Sequence, residues 1–117
     1  SMTRNVVTCS TGDTVQRIHT LIIDSGYSAF PVVKKKKLVG MISRRDLLKD
    51  GRWRASSETT TTVDNLMTTP VVSAGPDDDV RTVADIMVKH DISRLPVMEN
   101  DQIIGIIDRH DILNCLT

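Results

Sequence analysis

Two short stretches of the sequence carry polar side chains at a spacing that could do chemistry. The stretch GMISRRD places Ser43 three residues before Asp46, and the stretch GIIDRHD places Asp108 three residues before Asp111. A polar side chain followed three residues later by a carboxylate is close to the capping-box pattern that starts a helix. The same groups could serve a ligand, because helix N-termini suit anions and a carboxylate accepts hydrogen bonds from sugar hydroxyls. The spacing alone leaves both interpretations open.

The rest of the chain offers little that resembles catalytic or metal-binding chemistry. Cys9 and Cys115 lie far apart and form no C-x-x-C motif, which disfavours a zinc site or a disulfide framework. We expect Cys9 to pack against a sheet rather than to react. The acidic turn GPDDD lacks the ligand spacing of a calcium loop, and no nucleophile stands in a pattern with a general base. We therefore predict that the chain is not an enzyme and has no catalytic residues, metal or cofactor.

The composition indicates a small domain with an aliphatic interior. Fifteen basic and fifteen acidic residues balance, so the chain lacks the positive excess typical of nucleic-acid binders. The local excess at Lys34–Lys37 is expected to be a solvated turn, with a weak polyanion contact as the alternative. Phe, Tyr and Trp occur once each. No apolar run reaches the about 18 residues of a membrane helix, and we expect a cytoplasmic protein.

The sequence aligns with itself, without a gap, when it is shifted by 65 positions. Fourteen of the 47 aligned positions are identical, among them the Met-Thr pair at 2–3 and 67–68 and the Gly, Ile, Arg and Asp of the two polar stretches. A gapless self-match of this length indicates two copies of one supersecondary unit.

Each copy has the pattern of a β-α-β-β-α unit. The first helix carries Val15, Ile18 and Ile22 on one face, and its counterpart carries Val80, Val83 and Met87. Gly26 is placed to end the first helix. Two apolar strands about four residues apart indicate a hairpin, and a second helix begins at SRRDLL or DRHDIL. The expected strands are 6–8, 29–33 and one ending at Ile42 in the first copy, and 71–73, 94–98 and one ending at Ile107 in the second.

The polar, Thr-rich stretch between the copies is interpreted as a linker. We place the first repeat at residues 1–50, the linker at 51–63 and the second repeat at 64–117. Trp53 is expected to fold back onto the body or to mark a partner surface. Asp64 is expected to cap a short helix before Met67.

The repeated unit resembles a known regulatory domain. A unit carrying SAFPVV and LVGMISRRDLL, duplicated as SRLPVM and IIGIIDRHDIL, is similar to the cystathionine-β-synthase (CBS) domain, and two in tandem resemble a Bateman module. The resemblance implies an α/β (α+β) fold of two repeats related by a pseudo-two-fold axis, and a homodimer formed through helices. It implies a non-catalytic, regulatory role within a larger parent protein, through binding of AMP, ADP, ATP or S-adenosylmethionine.

The resemblance also assigns binding residues in a cleft between the repeats. The Asp of the G-h-h-[ST]-x-x-D motif holds the ribose, the Ser or Thr lies near the sugar and phosphate, and the base lies against the first two strands. Pro31 is expected to shape a turn or a strand edge. Arg94 would meet the phosphate, with an ion pair to a nearby Asp or a solvated position as its alternatives. The residues assigned are Val7, Thr8, Tyr27, Ser28, Ala29, Pro31, Ser43 and Asp46, with Arg94 and His110 from the opposite copy.

The equivalent site on Asp111 departs from the family pattern in its charges. Asp108 replaces the hydroxyl, and Ala29 stands where the other site receives Arg94. A second carboxylate beside a phosphate costs roughly 1–4 kcal/mol at surface-like dielectric, which Arg45 could offset in part. We expect this site to be empty or to take an adenosyl ligand of little negative charge. Its residues are Ser73, Ile92, Ser93, Arg45, Asp108 and Asp111. An interaction module without a ligand is the alternative for the whole chain.

Overall fold

The computed structural model of the chain describes residues 6–49 and 61–116, with side chains up to Asn114. These residues form two compact units. The first unit comprises residues 7–49 and 61–71, and the second comprises residues 72–116 together with Val6. Trp53 and most of the predicted linker lie outside the described residues. The segment 64–71, which the sequence assigned to the second repeat, belongs in space to the first unit.

The first unit contains a three-stranded sheet and two helices. Its elements are β1 (Cys9–Ser10), α1 (Val15–Ser25), β2 (Ala29–Lys34), β3 (Lys37–Ser43), α2 (Arg44–Lys49) and a 3₁₀ helix (Val63–Asn65). β1 runs parallel to β2, and β2 runs antiparallel to β3, in the order β1-β2-β3.

The second unit repeats the hairpin and its helices. Its elements are α3 (Val80–Lys89), β4 (Arg94–Glu99), β5 (Gln102–Asp108) and α4 (Arg109–Leu116). Both hairpins have the same register and a bulge at the same place, between Val32 and Val33 and between Val97 and Met98. The mixed helix and strand content confirms the predicted α+β class.

The apolar faces predicted for the helices are buried, with one exception. Val15, Ile18 and Ile22 of α1 pack into the core of the first unit, and Gly26 ends α1 at φ 76° by donating its N–H to the Ile22 carbonyl. Val83 and Met87 of α3 are buried, whereas Val80 at the start of α3 is 39% exposed. The first turn of α3 therefore contributes less to the core than its spacing suggested.

The predicted aliphatic core is confirmed, and in the first unit it also contains a buried aromatic side chain. Phe30 is fully buried in the first unit, where it packs among Val, Ile and Leu side chains. The core of the second unit is lined by Ala74, Val83, Met87, Leu95 and Ile112.

Three predicted element boundaries were wrong. The first strand is Cys9–Ser10 rather than 6–8, and its counterpart is a single bridge from Ala74 to Val97 rather than a strand at 71–73. Both hairpin turns are two residues long, because the strands continue into the polar segments. Their central residues have φ between 51° and 68°, the left-handed values of a type I′ turn.

The short helix before Met67 is present, but Asp64 does not cap it. It is a 3₁₀ turn whose N-cap position is Thr62, and the Thr62 hydroxyl donates to the Asp64 carboxylate. Asp64 lies inside the helix, two residues after the N-cap position.

Candidate functional site

The first candidate site is the corner where β3 passes into α2. The Ser43 hydroxyl oxygen accepts the Asp46 N–H at 3.2 Å, and Asp46 Oδ2 accepts the Ser43 N–H at 2.9 Å and the Ser43 hydroxyl at 3.1 Å. These bonds are the two halves of a capping box, so that interpretation of the spacing is confirmed. They also fix the Asp46 carboxylate in one orientation while leaving it half-buried rather than covered. We call Ser43, Asp46 and Ala29, which is the strand partner of Ser43, the first corner.

A further residue, Thr68, contacts the first corner and was missed by the sequence analysis. The Thr68 hydroxyl donates to Asp46 Oδ1 at 3.1 Å. Its backbone pairs with β3, because the Met41 N–H donates to the Thr68 carbonyl at 3.1 Å and the Thr68 N–H donates to the Met41 carbonyl at 2.7 Å. The repetition of the Met-Thr pair at the 65-residue offset was the available signal for this residue.

The remaining residues predicted for this site in the first unit lie along the start of β1 and β2. Ala29 is buried and stands directly opposite Ser43 across the hairpin. The Ser28 carbonyl accepts the Arg44 N–H at 2.8 Å, which ties the start of β2 to the start of α2. The half-buried residues of the group are Val7, Thr8 and Tyr27.

The position predicted for Pro31 at a turn or strand edge was wrong. Pro31 is fully buried in β2, which is the middle strand of its sheet. Pro31 faces Met41, whose backbone hydrogen bonds go to Thr68. The pair is therefore not hydrogen-bonded, so the N–H that proline lacks is not needed on the β3 side.

The second corner, where β5 passes into α4, has the same strand pairing as the first corner but different side chains. Arg94 stands directly opposite Asp108 across the hairpin, where the first unit has Ala29 opposite Ser43. Arg94 is 4% exposed, and its Nε lies 3.9 Å from Asp108 Oδ2. Asp108 therefore has a cation from its own unit beside it, whereas the sequence analysis expected only a partial offset by Arg45. The ion pair was one of the alternatives for Arg94, and its role at a phosphate stays a prediction.

Asp108 is shared between a buried and an exposed partner. Its Oδ1 accepts the His110 N–H at 2.9 Å and lies 3.0 Å from the ring Nδ1 of His110, whose side chain is 90% exposed. Partial burial acts to raise the pKa of Asp108. The hydrogen bonds from His110 and the charges of His110 and Arg94 outweigh that effect and hold the pKa below its usual value. Arg94, Asp108 and His110, assigned to two sites by sequence, thus form one connected group.

Comparison with known proteins identifies this pair of units. The profile of the CBS domain family matches residues 2–51 and 63–117, which is most of the chain. The chain belongs to the CBS domain family. Each unit carries the hairpin and helices of one CBS domain, so the tandem pair expected from the sequence is confirmed.

Three relatives place the CBS pair in context. An uncharacterized protein of Methanocaldococcus jannaschii, MJ0188, is 34% identical over 96% of this chain, which spans 41% of that relative. The CBS domain of a CBS domain-containing membrane protein from Sphaerobacter thermophilus is 31% identical, with a TM-score of 0.79, over 96% of this chain and 82% of that one. The CBS domain pair of protein MJ0100, solved with 5′-methylthioadenosine and S-adenosyl-L-methionine, is 26% identical, with a TM-score of 0.85, over 98% and 90%.

The residues predicted for the weaker site belong mainly to the second CBS domain. The Ser93 carbonyl accepts the Arg109 N–H at 2.8 Å, which reproduces the tie between Ser28 and Arg44. The Ile92 carbonyl accepts a second bond, from Arg109 Nη2 at 3.4 Å. Asp111 Oδ2 lies 3.4 Å from the Asp108 N–H, a long version of the bond in the first corner. Three members of this group are exposed, namely Ser73, Ser93 and, in the first CBS domain, Arg45.

Other groups that could do chemistry have structural roles. The Cys9 thiol is buried and donates to the Pro31 carbonyl at 3.6 Å, as expected for a packed cysteine. Its burial, with the nearby charge of Asp13, raises its pKa to about 12. Asp13 and Asp78 each accept a turn N–H at 2.8 Å, from Ser10 and Gly75. Over residues 6–49 and 61–116, no three His, Cys, Asp or Glu side chains cluster as metal ligands, and no helix has the length and hydropathy to cross a membrane.

Proposed function

We propose that this CBS pair is a non-catalytic regulatory module that binds an adenine nucleotide, AMP, ADP or ATP, at the first corner. The observation that carries the proposal is the half-buried Asp46 carboxylate, oriented by Ser43 beside a neutral Ala29. Protein MJ0100, a relative at 26% identity, binds 5′-methylthioadenosine and S-adenosyl-L-methionine through its CBS pair. Those ligands share an adenosyl group with the nucleotides.

The residues of the first corner suit the sugar of such a ligand. A carboxylate accepts hydrogen bonds from both hydroxyls of a ribose, and the Ser43 hydroxyl lies close enough to Asp46 to reach the sugar as well. The adenine ring would pack against Val7 and Tyr27, both half-buried at the surface of the apolar core. The polar and backbone contacts would come from Thr8, Ser28, Ala29 and Pro31.

Arg94 and His110 are the proposed phosphate contacts. A guanidinium donates two parallel hydrogen bonds to a phosphate, which makes arginine a better partner than lysine. Since Arg94 lies beside Asp108, a phosphate would have to compete with that carboxylate for the cation. The site on Asp111 is proposed to be empty or to take an uncharged or cationic adenosyl group. Its contacts would be Ser73, Ile92, Ser93, Arg45, Asp108 and Asp111.

Calorimetric titration with AMP, ADP, ATP and S-adenosylmethionine tests the proposal. We expect one strong nucleotide site per chain, abolished in Asp46→Ala and weakened about tenfold or more in Arg94→Ala. Asp111→Ala is the matched control, because it removes the same residue from the second corner and should leave the strong site intact. The proposal fails if none of the ligands binds, or if Asp111→Ala abolishes binding while Asp46→Ala does not. Strong binding of S-adenosylmethionine alone would move the assignment to that ligand.

An interaction module is the second candidate, favoured by apolar side chains that recur on both units. Ile23 and Leu48 of the first unit are 65% and 52% exposed, and their repeat equivalents Val88 and Leu113 are 80% and 52% exposed. Val88 and Leu113 border a shallow apolar groove between α3 and α4 of the second unit. A repeated apolar face suits a second copy of the chain, because a two-fold interface presents the same patch from both subunits. The groove is lined by Ala84, Met87, Val88, Arg109, Ile112 and Leu113.

Light scattering separates this homodimer from a monomeric sensor. We propose a homodimer through these helices, with Leu113→Glu shifting it to monomer. Dimerisation without a thermal shift on adding nucleotides would favour the interaction module over the sensor. Because the chain spans 41% of MJ0188, we also propose that the pair acts within a larger parent protein. A cytoplasmic location remains a prediction.

A further inference from the structure

The hydrogen-bonding capacity of Asp46 is nearly used up by the chain itself. A carboxylate offers about four acceptor positions on its two oxygens. Two of them, on Oδ2, take the N–H and the hydroxyl of Ser43, at 2.9 and 3.1 Å. A third, on Oδ1, takes the Thr68 hydroxyl at 3.1 Å. About one position remains, whereas a ribose presents two neighbouring hydroxyls.

The bond from Thr68 is the one most easily given up. The Ser43 bonds are part of the capping box and are reinforced by the return bond from the Asp46 N–H. Thr68 is exposed, so its hydroxyl can turn to water when it leaves the carboxylate. Its backbone need not move, because the two hydrogen bonds with Met41 hold it at β3 whichever way the side chain points.

We propose that the Thr68 hydroxyl occupies the place of a ribose hydroxyl on Asp46, and that binding a vicinal diol requires its release. This inference rests on the proposed function of the first corner and adds a residue that tunes affinity and sugar selectivity there. Thr68 acts through Asp46 and is a positioning residue. Every ligand that donates two hydroxyls to Asp46 must displace it, whereas a ligand that donates one can use the remaining acceptor.

The two kinds of ligand are available as AMP and 2′-deoxy-AMP. Removing the Thr68 hydroxyl in Thr68→Val, at nearly constant shape, frees an acceptor that only the diol of AMP can use. We expect AMP to bind Thr68→Val about three- to tenfold more tightly than wild type, the worth of one hydrogen bond. The affinity for 2′-deoxy-AMP should stay within twofold, so the preference for AMP over 2′-deoxy-AMP should rise by the same three- to tenfold.

Two control variants separate this effect from a change in folding. Thr68→Ser keeps the hydroxyl and should retain the wild-type preference. Thr20→Val makes the same substitution at an exposed position on α1 and should change neither affinity. Thermal unfolding of each variant verifies that the first unit is intact before the titrations are compared.

The titrations have distinct outcomes for the inference and for the proposed function. If wild type binds AMP and Thr68→Val leaves the preference unchanged or lowers it, Thr68 does not compete with the sugar and the inference is overturned while the proposed function stands. If Thr68→Val binds AMP where wild type binds too weakly to measure, the inference is supported. If neither protein binds either nucleotide, the proposed function fails and the inference falls with it.

Discussion

The two corners of this CBS pair share one backbone and differ in charge. In the first, neutral Ala29 faces Ser43, and the Asp46 carboxylate is held by a reciprocal cap. In the second, the buried Arg94 faces the partly exposed Asp108 as an ion pair, and the cap is looser, with 3.4 Å between the Asp111 carboxylate and the Asp108 N–H. In the first corner, hydrogen bonds from Ser43 orient the Asp46 carboxylate. In the second corner, the charges of Arg94 and Asp108 face each other.

We expect the two substitutions between the repeats to be energetically coupled. Arg94 would be costly to bury without an anion, and Asp108 would repel Asp111 without a cation. Across the hairpin each of these residues supplies what the other needs. The paired substitution leaves the fold unchanged and produces two sites with different electrostatic character.

The largest expected effect comes from breaking the ion pair on one side. Asp108→Ser gives the second corner the hydroxyl of the first and removes the carboxylate that lies 3.9 Å from Arg94, which is 4% exposed. We expect a loss of about 2 kcal/mol in the free energy of unfolding, below the range for a fully buried pair because Asp108 is partly exposed. Urea unfolding measures it.

The double variant Arg94→Ala with Asp108→Ser is the matched test of coupling. It copies the Ala29 and Ser43 pair of the first corner, leaves no buried charge, and should recover about half or more of the loss. The cycle also needs the single variant Arg94→Ala. If the losses of unfolding free energy measured for Asp108→Ser and Arg94→Ala simply add in the double variant, the two residues are not coupled, and the contrast between the corners loses its physical basis.

The next effect concerns the segment that brings Thr68 to the first corner. A side chain at Gly40 would place its Cβ 2.5 Å from Met67 Sδ and 2.9 Å from Met67 Cγ. Gly40→Ala should therefore push the segment away from β3 and cost about 1–2 kcal/mol. Gly12→Ala is the control, because nothing lies within 4 Å of a Cβ there. Equal unfolding curves for the two variants would mean that the close packing of Met67 against Gly40 does not contribute to the stability of the first unit.

The sequence predicted what depends on local patterns and on the repeat. The gapless self-match gave the paired α+β units, and the i, i+3 spacing gave the capping box of Ser43 and Asp46. Hydrophobic periodicity gave the buried face of α1. These features depend on residues close in sequence or on the comparison of one copy with the other, so a single sequence contains them.

What the sequence did not predict depends on pairing across the hairpin and on segments distant in sequence. Register places Arg94 opposite Asp108, 14 positions later in the chain, and no local pattern specifies that. Thr68 contacts Asp46 although it lies 22 positions later in the chain. An isolated β-bridge between Thr68 and Met41 brings it there, and the polar sequence around Thr68 does not predict that bridge. Pro31 is tolerated opposite β3 because its pair with Met41 is not hydrogen-bonded, which depends on the register of the hairpin.

A smaller effect separates the two caps. Ser43→Ala removes a hydroxyl that both accepts the Asp46 N–H and donates to Asp46, and should cost about 1 kcal/mol. Asp111→Ala removes a single long bond and should cost about half as much or less. Chemical unfolding of the two variants ranks the caps, and an equal or larger loss for Asp111→Ala would show that the looser geometry does not weaken the second corner.

The smallest expected effect is a dependence on acid that belongs to the second corner. The hydrogen bonds and charge of His110, with the charge of Arg94, hold the pKa of Asp108 below its usual value despite partial burial. The Asp108 carboxylate therefore binds a proton more tightly in the unfolded chain than in the folded one. Its contribution to the free energy of unfolding is complete above the usual pKa of Asp and is lost as the pH falls through the pKa of Asp108 in the folded chain. Because Asp108 is partly exposed, the contribution of its charge is about 1 kcal/mol or less. The difference in unfolding free energy between wild type and Asp108→Asn should shrink between about pH 5 and pH 3. Ser43→Ala is the control, because it removes no titrating group, and its difference from wild type should depend less on pH. A Ser43→Ala difference that falls as steeply would show that the acid dependence does not belong to the second corner and would remove this last distinction between the corners.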